Sequence, residues 1–185
     1  PDRAKTIVAV KVDGRIRDTS THLEGECDVE CLTADDHDRR SVEILRHSCA
    51  HLLAQAVCEL YGEKVQYTIG PALMDDFKYG FYYDFDLPQP ISIDDLAKIE
   101  RKMRQLAQQH HAFRREEVGV EQARRAFAEI GQNYKVEVLN DLERDEHPER
   151  VSLYRHGEFL DLCRGPHLPH TGFLKHFKLM SVAGA

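Results

Sequence analysis

The segment Arg46-His47-Ser48-Cys49-Ala50-His51-Leu52-Leu53 carries two histidines four residues apart, within a longer run whose apolar residues recur at helical spacing. Between residues 42 and 60 these apolar side chains form one stripe along a helix. At about 100° per residue, His47 and His51 project from nearly the opposite side, which is also mostly apolar. The pattern therefore predicts a helix over residues 42–60, ended by Tyr61-Gly62 and buried on both sides, whose imidazoles face a cleft or a second layer.

The stretch before this helix is predicted to be a small β-rich piece. A β-branched run over residues 6–12 is followed by the turn signal Asp13-Gly14 and a short strand, which indicates a hairpin. A further strand is predicted over residues 27–32, and a polar linker then leads to Ser41 as the helix N-cap. About 35 residues with so few apolar side chains are too few for an independent core, so we interpret this piece as part of a truncated domain.

After the central helix, hairpin strands alternate with helices. This order indicates an α+β fold in two layers, with a mainly antiparallel sheet packed on helices. Strands are predicted over residues 64–69, 79–85, 113–118, 134–139, 151–154, 158–162 and 176–180, helices over 92–106 and 120–130, a loop over 140–150, and a sharp turn over 163–167.

Composition limits the classes of protein that fit. The 185 residues are 42% hydrophobic and 31% charged, which suits one compact domain with an appendage. No segment approaches the about 20 consecutive apolar residues that cross a membrane, and no leader pattern is visible at the first residues. Five cysteines are an odd number, so disulfides cannot pair all of them. We therefore expect a soluble protein of the reducing cytoplasm.

The charge balance is unfavourable for general binding of nucleic acid. The net charge is −7, from 25 lysines and arginines against 32 aspartates and glutamates. An RNA substrate would have to be delivered by another domain or held by a local basic face. One such concentration exists, and it is either a solvated helix face or an RNA-facing patch. It comprises Lys98, Arg101, Lys102, Arg104, Arg114, Arg115, Arg124 and Arg125.

Two clusters of side chains that could bind a metal or take part in catalysis lie far apart in the sequence. His47 and His51 form the first, and Cys163 and His167, also four residues apart, form the second. Three imidazoles and a thiol are the ligand set of a tetrahedral zinc site. No Glu follows His47, which counts against a metalloprotease motif. Four interpretations remain open: a zinc site, metal-free acid–base hydrolysis, Cys163 as a covalent nucleophile, and histidines that are simply buried in a core.

Two more residues could serve a hydrolytic site. Lys135, predicted to lie on a strand, could stabilise a developing oxyanion, although a lone strand lysine is commonly solvated. Asp161 precedes Cys163 by two residues, so both project from the same face of an extended segment. Its carboxylate could orient an imidazole or hold a substrate ammonium group, or simply pair with an arginine.

Several motifs together resemble the N-terminal editing domain of bacterial-type threonyl-tRNA synthetases. They are His47-Ser48-Cys49-Ala50-His51-Leu52-Leu53, Ile69-Gly70-Pro71, Gly80-Phe81-Tyr82-Tyr83-Asp84, Tyr134-Lys135-Val136, Asp161-Leu162-Cys163-Arg164-Gly165-Pro166-His167 and His176-Phe177-Lys178-Leu179. The editing fold of alanyl-tRNA synthetases is similar, but its second cluster resembles Cys-Gly-Gly-Thr-His. The resemblance divides the chain into residues 1–38, part of a ubiquitin-like TGS domain with a linker, and residues 39–185, the editing domain. Residues 182–185 resemble the entry to the aminoacylation domain.

The resemblance implies an aminoacyl-tRNA deacylase that hydrolyses the ester of seryl-tRNA(Thr) to serine and tRNA(Thr). Its implied site has His47 as the water-activating base, Lys135 as an electrostatic stabiliser, Asp161 and His167 as orienting groups, and His51 and Cys163 as pocket walls or donors. Tyr134 and Arg164, beside these motifs, are predicted to bind substrate.

The resemblance also implies which cofactors and partners to expect. Editing in this family is described without a metal, while ATP and zinc belong to the aminoacylation domain. If zinc were bound here, His47, His51, Cys163 and His167 would hold it. The expected partner is the acceptor end of tRNA(Thr), and the full-length enzyme would be a homodimer although this fragment could be a monomer. The alternatives are a zinc-dependent deacylase of the alanyl-editing type and a non-catalytic module that positions the tRNA acceptor.

Overall fold

The structure is a computed structural model that describes residues 3–35, 38–76, 78 and 80–184. These residues form an α+β fold, as predicted, with four α-helices and three small antiparallel sheets. The helices are α1 (Arg39–Tyr61), α2 (Leu96–Gln108), α3 (Val120–Glu129) and α4 (Asn133–Glu146). The strands are β1 (Ile7–Val12), β2 (Arg15–Arg17), β3 (Val29–Thr33), β4 (Gln66–Tyr67), β5 (Phe85–Asp86), β6 (Arg114–Gly119), β7 (Arg150–His156) and β8 (Phe159–Leu162).

Helix α1 is the predicted central helix and begins slightly earlier than expected. The carboxylate of Asp38 accepts a hydrogen bond from the backbone N–H of Arg40 at 2.8 Å and caps the helix. The predicted N-cap, Ser41, is therefore wrong, and this residue is buried inside the first turn. Gly62 ends the helix as predicted, with a φ of 88° that a residue with a Cβ would rarely adopt.

Both sides of α1 are buried, as its sequence pattern predicts. One side joins the main core together with α2, through Cys49, Leu52, Ala56, Val57, Ile99, Met103 and Leu106. The other side carries Ala50 and Ala54 into a second cluster, which Tyr67, Tyr83 and Phe159 complete. The two sides of α1 therefore pack in two different clusters of the core.

The N-terminal sheet has the strand order β2-β1-β3, with both pairs antiparallel. The predicted hairpin is present. Its buried side chains Val8, Ala9 and Leu32 belong to the same core as Ile44 and Leu52 of α1. The piece thus shares the core of the rest of the chain, in keeping with the prediction that it has too few apolar residues for a core of its own. Residues 36 and 37 of the predicted linker lie outside the described residues.

The C-terminal sheet, β6-β7-β8, packs against α3, and α4 joins the same apolar cluster through Leu139. Its core consists of Val118, Val120, Ala123, Phe127, Leu139, Val151, Leu153 and Leu160. Strands β7 and β8 pair from Leu153 opposite Leu162 to His156 opposite Phe159, and β8 runs directly into the turn at residues 163–167. The strands predicted over 64–69 and 79–85 pair over only two residues each, as β4 and β5, and Tyr79 lies outside the described residues.

Three predicted elements are wrong. The strand predicted over residues 134–139 and the loop predicted after it are replaced by helix α4, which continues to Glu146. The inward-facing side chains of α4 recur at helical spacing, at Lys135, Leu139 and Leu142. Their burial outweighs the preference of the β-branched Val136 and Val138 for a strand. Residues 176–180 form no strand either, and within this stretch the backbone N–H of Leu179 donates to the buried carboxylate of Glu100 at 2.9 Å.

Among the described helices, none is both long enough and apolar enough to cross a membrane.

The main core predicts the effect of truncating one of its side chains. Leu106 is 2% exposed and packs between α1 and α2 in the main core, so Leu106→Ala should lower the free energy of unfolding by about 2–5 kcal/mol. Ile93, 70% exposed just before α2, offers a matched control whose replacement by Ala should change that free energy by less than about 0.5 kcal/mol. Urea unfolding measures both, and equal losses for the two variants would contradict this core.

Candidate active site

The two predicted clusters meet in space. His47 and His51 project from α1, and their ring centroids lie 5.0 Å apart with perpendicular planes. The ring of His167 lies 4.2 Å from that of His47 and 4.1 Å from that of His51. His51 and His167 are buried, whereas His47 is only half-buried. Of the three imidazoles, His47 is therefore the one that water or a substrate reaches most readily.

Cys163 completes this group at the end of β8. Its Sγ lies 3.2 Å from Nε2 of His47 and 3.4 Å from Nε2 of His167. The backbone N–H of Gly165 also donates to this sulfur at 3.3 Å. Burial nevertheless raises the pKa of the Cys163 thiol to about 12, so the thiol is protonated at neutral pH. A protonated thiol is a poor nucleophile, which weighs against covalent catalysis by Cys163.

Lys135 reaches the same group from helix α4. It is buried, and its Nζ lies 2.6 Å from Oδ1 of Asp161 and also donates to the carbonyl oxygen of Thr68. The other carboxylate oxygen of Asp161 accepts the hydroxyl proton of Tyr83 at 2.5 Å and lies 3.4 Å from Nε2 of His51. Lys135 is thus neither on a strand nor solvated.

Sequence reasoning missed two residues that organise the site. Tyr83 lies within a motif of the family resemblance, but nothing local in the sequence links it to Asp161. Ser48, between the two histidines, is fully buried; its Oγ lies 3.0 Å from Nδ1 of His167 and accepts the backbone N–H of Leu168 at 3.1 Å. The sequence places Ser48 on a helix that is predicted to be buried on both sides, where a hydroxyl needs hydrogen-bond partners, and this is the signal that could have identified it.

The electrostatics of the site favour neutral imidazoles. Burial lowers the pKa of His47, although the negative charge of Asp161 partly opposes this effect. The pKa of His51 and of His167 falls well below the ordinary histidine value, first through burial and then through the neighbouring imidazoles. At neutral pH all three rings are therefore neutral.

Tyr134 and Arg164 do not contact the group of imidazoles in the described structure. The hydroxyl of Tyr134 donates to Oδ2 of Asp86 at 3.0 Å. Arg164 is exposed and pairs with Glu146 at 2.7 Å. Their predicted roles in substrate binding remain predictions.

The donor set can be tested against a zinc ion. One ligand atom from each of His47, His51, Cys163 and His167 lies within 4.8 Å of the others, and three imidazoles with one thiolate suit zinc. Nδ1 of His51 is also buried without a hydrogen-bond partner. The residues therefore fit a zinc ion. Four protein ligands would however close a tetrahedral site, whereas catalytic zinc keeps one position for water or substrate.

A cleft of about 430 Å³ opens beside Cys163, between α4 and the C-terminal sheet. Its lining includes Val138 and Leu142, which share a face of α4 with Lys135. Three arginines also line it, namely Arg115, Arg150 and Arg164, with Glu117 and Glu146 as their ion-pair partners. The cleft thus borders the candidate site at Cys163, and its lining carries a small excess of positive charge.

On the basic helix face predicted around Lys98–Arg104, two of the four cations lie in ion pairs. Lys102 lies 2.5 Å from a carboxylate oxygen of Glu59, and Arg104 lies 3.2 Å from one of Glu100. Arg124, further along the chain, pairs with Glu121 and Glu143. These contacts favour the interpretation of a solvated face.

The chain is similar in sequence to a known domain family and to several known proteins. Residues 151–184, which contain β7, β8 and the turn at Cys163–His167, match the family described as the threonyl and alanyl tRNA synthetase second additional domain. Over 185 residues the chain is 47% identical to the threonine–tRNA ligase of Symbiobacterium thermophilum, and over 182 residues it is 46% identical to that of Rickettsia bellii and 48% identical to that of Alkalilimnicola ehrlichii.

These alignments cover 98–100% of this chain but only 27% of each ligase. The chain thus spans about a quarter of the length of these relatives. The predicted resemblance to threonyl-tRNA synthetases is confirmed.

The buried histidines predict a loss of stability in acid. Burial lowers the pKa of His156, a neighbour of His51 in the same core, to about 3. Between the unfolded-state value of about 6.5 and this folded-state value, only the unfolded chain binds a proton, so stability falls as the pH falls. Each such histidine contributes a slope of about 1.4 kcal/mol per pH unit.

His156→Asn, whose amide can still donate to Gln55, should therefore reduce this slope by about 1.4 kcal/mol per pH unit. Urea unfolding at several values between pH 4 and 6.5 gives the slope, and His22→Asn, at an exposed site, serves as the control. A variant at position 156 that keeps the wild-type slope would contradict the burial of a neutral imidazole.

Proposed function

This chain is homologous over its full length to one segment of threonine–tRNA ligases, and we propose that it hydrolyses the ester bond of seryl-tRNA(Thr) to release serine and tRNA(Thr). The observation that carries the proposal is the meeting of His47, His51, Cys163 and His167 with the buried pair of Lys135 and Asp161. These groups come from α1, α4, β8 and the turn after β8. Together they supply a base, a cation and orienting groups beside a cleft.

The chemistry of the two amino acids explains why a separate hydrolytic site is useful. Serine lacks only the methyl group of threonine, and one methyl is worth about 1–3 kcal/mol in a binding pocket. A single site therefore cannot reject serine with the accuracy that protein synthesis requires. A second site that admits serine and excludes the larger threonine corrects the error.

In the proposed mechanism His47 activates the attacking water. It is the half-buried imidazole, and because burial lowers its pKa the ring is neutral and can take a proton at neutral pH. The resulting hydroxide adds to the ester carbonyl carbon and gives a tetrahedral intermediate with a negatively charged oxygen. When this intermediate collapses, the C–O bond to the ribose breaks, and the ribose oxygen takes up the proton.

Lys135 supplies positive charge to the negatively charged oxygen of the intermediate. A cation in a buried site stabilises a nearby negative charge more strongly than a cation in water does. The fold already holds this cation in place, so the reaction requires no further reorientation of it. Asp161 and Thr68 hold the ammonium group in place. Asp161 also contacts His51, so its proposed role is to orient these two groups, while His51, His167 and Cys163 shape the wall of the pocket.

The acceptor end of the tRNA is proposed to enter through the cleft beside Cys163. Arg115, Arg150 and Arg164 line this cleft and could exchange their carboxylate partners for phosphate oxygens. The net charge of −7 agrees with a fragment that relies on this local contact and on the rest of a larger enzyme for its affinity. We further propose that the larger enzyme is a cytoplasmic homodimer that uses ATP and zinc in its aminoacylation domain.

A zinc-dependent deacylase is a second candidate, favoured by the close approach of the four ligand atoms. When bound, zinc would polarise the ester carbonyl or lower the pKa of a water molecule. His47, His51, Cys163 and His167 would hold it. Because these four side chains fill a tetrahedron, one of them would have to leave the metal for water to bind, and this requirement makes the metal-free mechanism the better candidate.

Replacement of His47 tests the proposed function directly. His47→Ala should abolish the release of serine from seryl-tRNA(Thr), by at least about a hundredfold, because the general base is lost. The assay follows radiolabelled serine on tRNA, with threonyl-tRNA(Thr) as the substrate that should resist hydrolysis. His22→Ala, at an exposed position, is the matched control.

Unchanged release by a folded His47→Ala variant would refute the mechanism. Binding of tRNA without hydrolysis by the wild type would instead favour a non-catalytic positioning module. A chelator arm separates the two hydrolytic candidates, since full activity in a metal-free sample excludes zinc as a requirement.

The cleft arginines should affect binding more than chemistry. Arg150→Gln and Arg164→Gln should each raise KM for seryl-tRNA(Thr) about tenfold, because a charge-assisted contact to phosphate is lost, and should leave kcat nearly unchanged. The salt dependence of binding should also become shallower in each variant. Arg125→Gln, on the exposed side of α3, should match the wild type. A fall in kcat at constant KM would contradict this placement of the acceptor end.

A further inference from the structure

Asp18 links the N-terminal sheet to the active-site turn. It follows β2 directly and is buried, although its position beyond the end of a short strand would favour exposure. One carboxylate oxygen accepts the backbone N–H of His167 at 2.9 Å, and the other accepts the hydroxyl proton of Tyr154 at 2.7 Å. A residue from the N-terminal piece therefore contacts the backbone of a residue in the imidazole group.

Tyr154 extends this link to the middle of the same turn. It is fully buried on β7, and its hydroxyl packs so closely on Gly165 that a Cβ there would lie 1.9 Å from the hydroxyl oxygen. Gly165 has a φ of +70°, which also favours glycine. Asp18 thus holds the turn twice, once at the amide of His167 and once through Tyr154 at Gly165.

Asp18 and Ser48 fix different parts of His167. Ser48 contacts Nδ1 of the imidazole, while Asp18 holds the backbone amide of the same residue. With both ends held, Nε2 of His167 remains 3.4 Å from Sγ of Cys163. A displacement of about 1 Å at a reacting group can reduce a rate by about a hundredfold. The position of this backbone therefore matters for any chemistry in the pocket.

We propose that Asp18 is a positioning residue for the active site, and that the N-terminal sheet completes the site by holding the turn from Cys163 to His167. The carboxylate touches neither the reacting atoms nor the substrate. It acts through the hydrogen bonds to His167 and Tyr154. The effect on turnover rests on the proposed function, whereas the effect on the turn rests only on the hydrogen bonds described above.

Three substitutions separate geometry from charge. Asp18→Asn removes the charge but keeps an oxygen that can accept the His167 amide and an NH2 group that can donate to the tyrosine oxygen. Asp18→Ala removes both bonds. Asp18→Glu keeps the charge but displaces the carboxylate by one methylene, and it replaces the alanine variant if that variant fails to fold. The matched control is Asp13→Ala, because Asp13, in the exposed turn between β1 and β2, likewise accepts a backbone N–H, from Asp28 at 3.0 Å.

Two measurements test the proposal. Steady-state hydrolysis of seryl-tRNA(Thr) should show that Asp18→Ala and Asp18→Glu lower kcat by at least about tenfold with KM within about twofold. Asp18→Asn and Asp13→Ala should stay within about threefold of the wild type. Amide hydrogen exchange should show that His167 loses protection by at least about tenfold in the alanine variant and keeps it in the asparagine variant. The amide of Cys163, bonded to Ser152, is the internal reference.

The outcomes decide between a positioning role and general support of the fold. Wild-type kcat and wild-type exchange at His167 in Asp18→Ala would overturn the proposal, and so would equal losses in Asp18→Ala and Asp13→Ala. Loss of kcat in Asp18→Asn as large as in Asp18→Ala would also overturn it, because charge would then be the essential property. If the wild type does not hydrolyse seryl-tRNA(Thr), the proposed function fails, and the exchange of the His167 amide still decides the role of Asp18.

Discussion

A buried ion pair between Lys135 and Asp161 connects the separate parts of this fold at the candidate active site. Lys135 comes from α4 and Asp161 from β8, while Tyr83 and His51 reach the carboxylate from the segment before β5 and from α1. Moving two charges out of water is costly, and the cost is offset only when close geometry and further hydrogen bonds satisfy both groups. The surrounding elements must therefore be placed accurately for the pair to be tolerated.

The same burial that shapes the site limits the stability of the protein in acid. His51, His156 and His167 are almost completely buried, so protonation is unfavourable in the folded state and favourable in the unfolded state. An apolar core of the same size would avoid this sensitivity. Burial also lowers the pKa of His47, the half-buried imidazole, so this ring is neutral near neutral pH as well.

The N-terminal sheet is integrated with the rest of the chain at two levels. Its apolar residues enter the core of α1, and its Asp18 reaches the turn that carries Cys163 and His167. The family resemblance predicts a division of the chain into residues 1–38 and 39–185, and residues on both sides of this boundary contact each other. The packing and the hydrogen bonds cross it.

The sequence by itself determined the α+β class, the central helix buried on both sides, the hairpin, and the inventory of His47, His51, Cys163 and His167. These features depend on local periodicity, on turn residues and on motifs, all of which are visible along the chain. Local preference failed for residues 134–139, where β-branched side chains suggested a strand, because burial of Lys135 and Leu139 on one helix face outweighed it. Only the tertiary structure decided that the two clusters meet, that Tyr83, Ser48 and Asp18 hold them, and that Tyr134 and Arg164 lie outside the imidazole group. Such contacts join residues up to 149 positions apart, and no periodic signal in a single sequence records which distant polar groups will share a buried site.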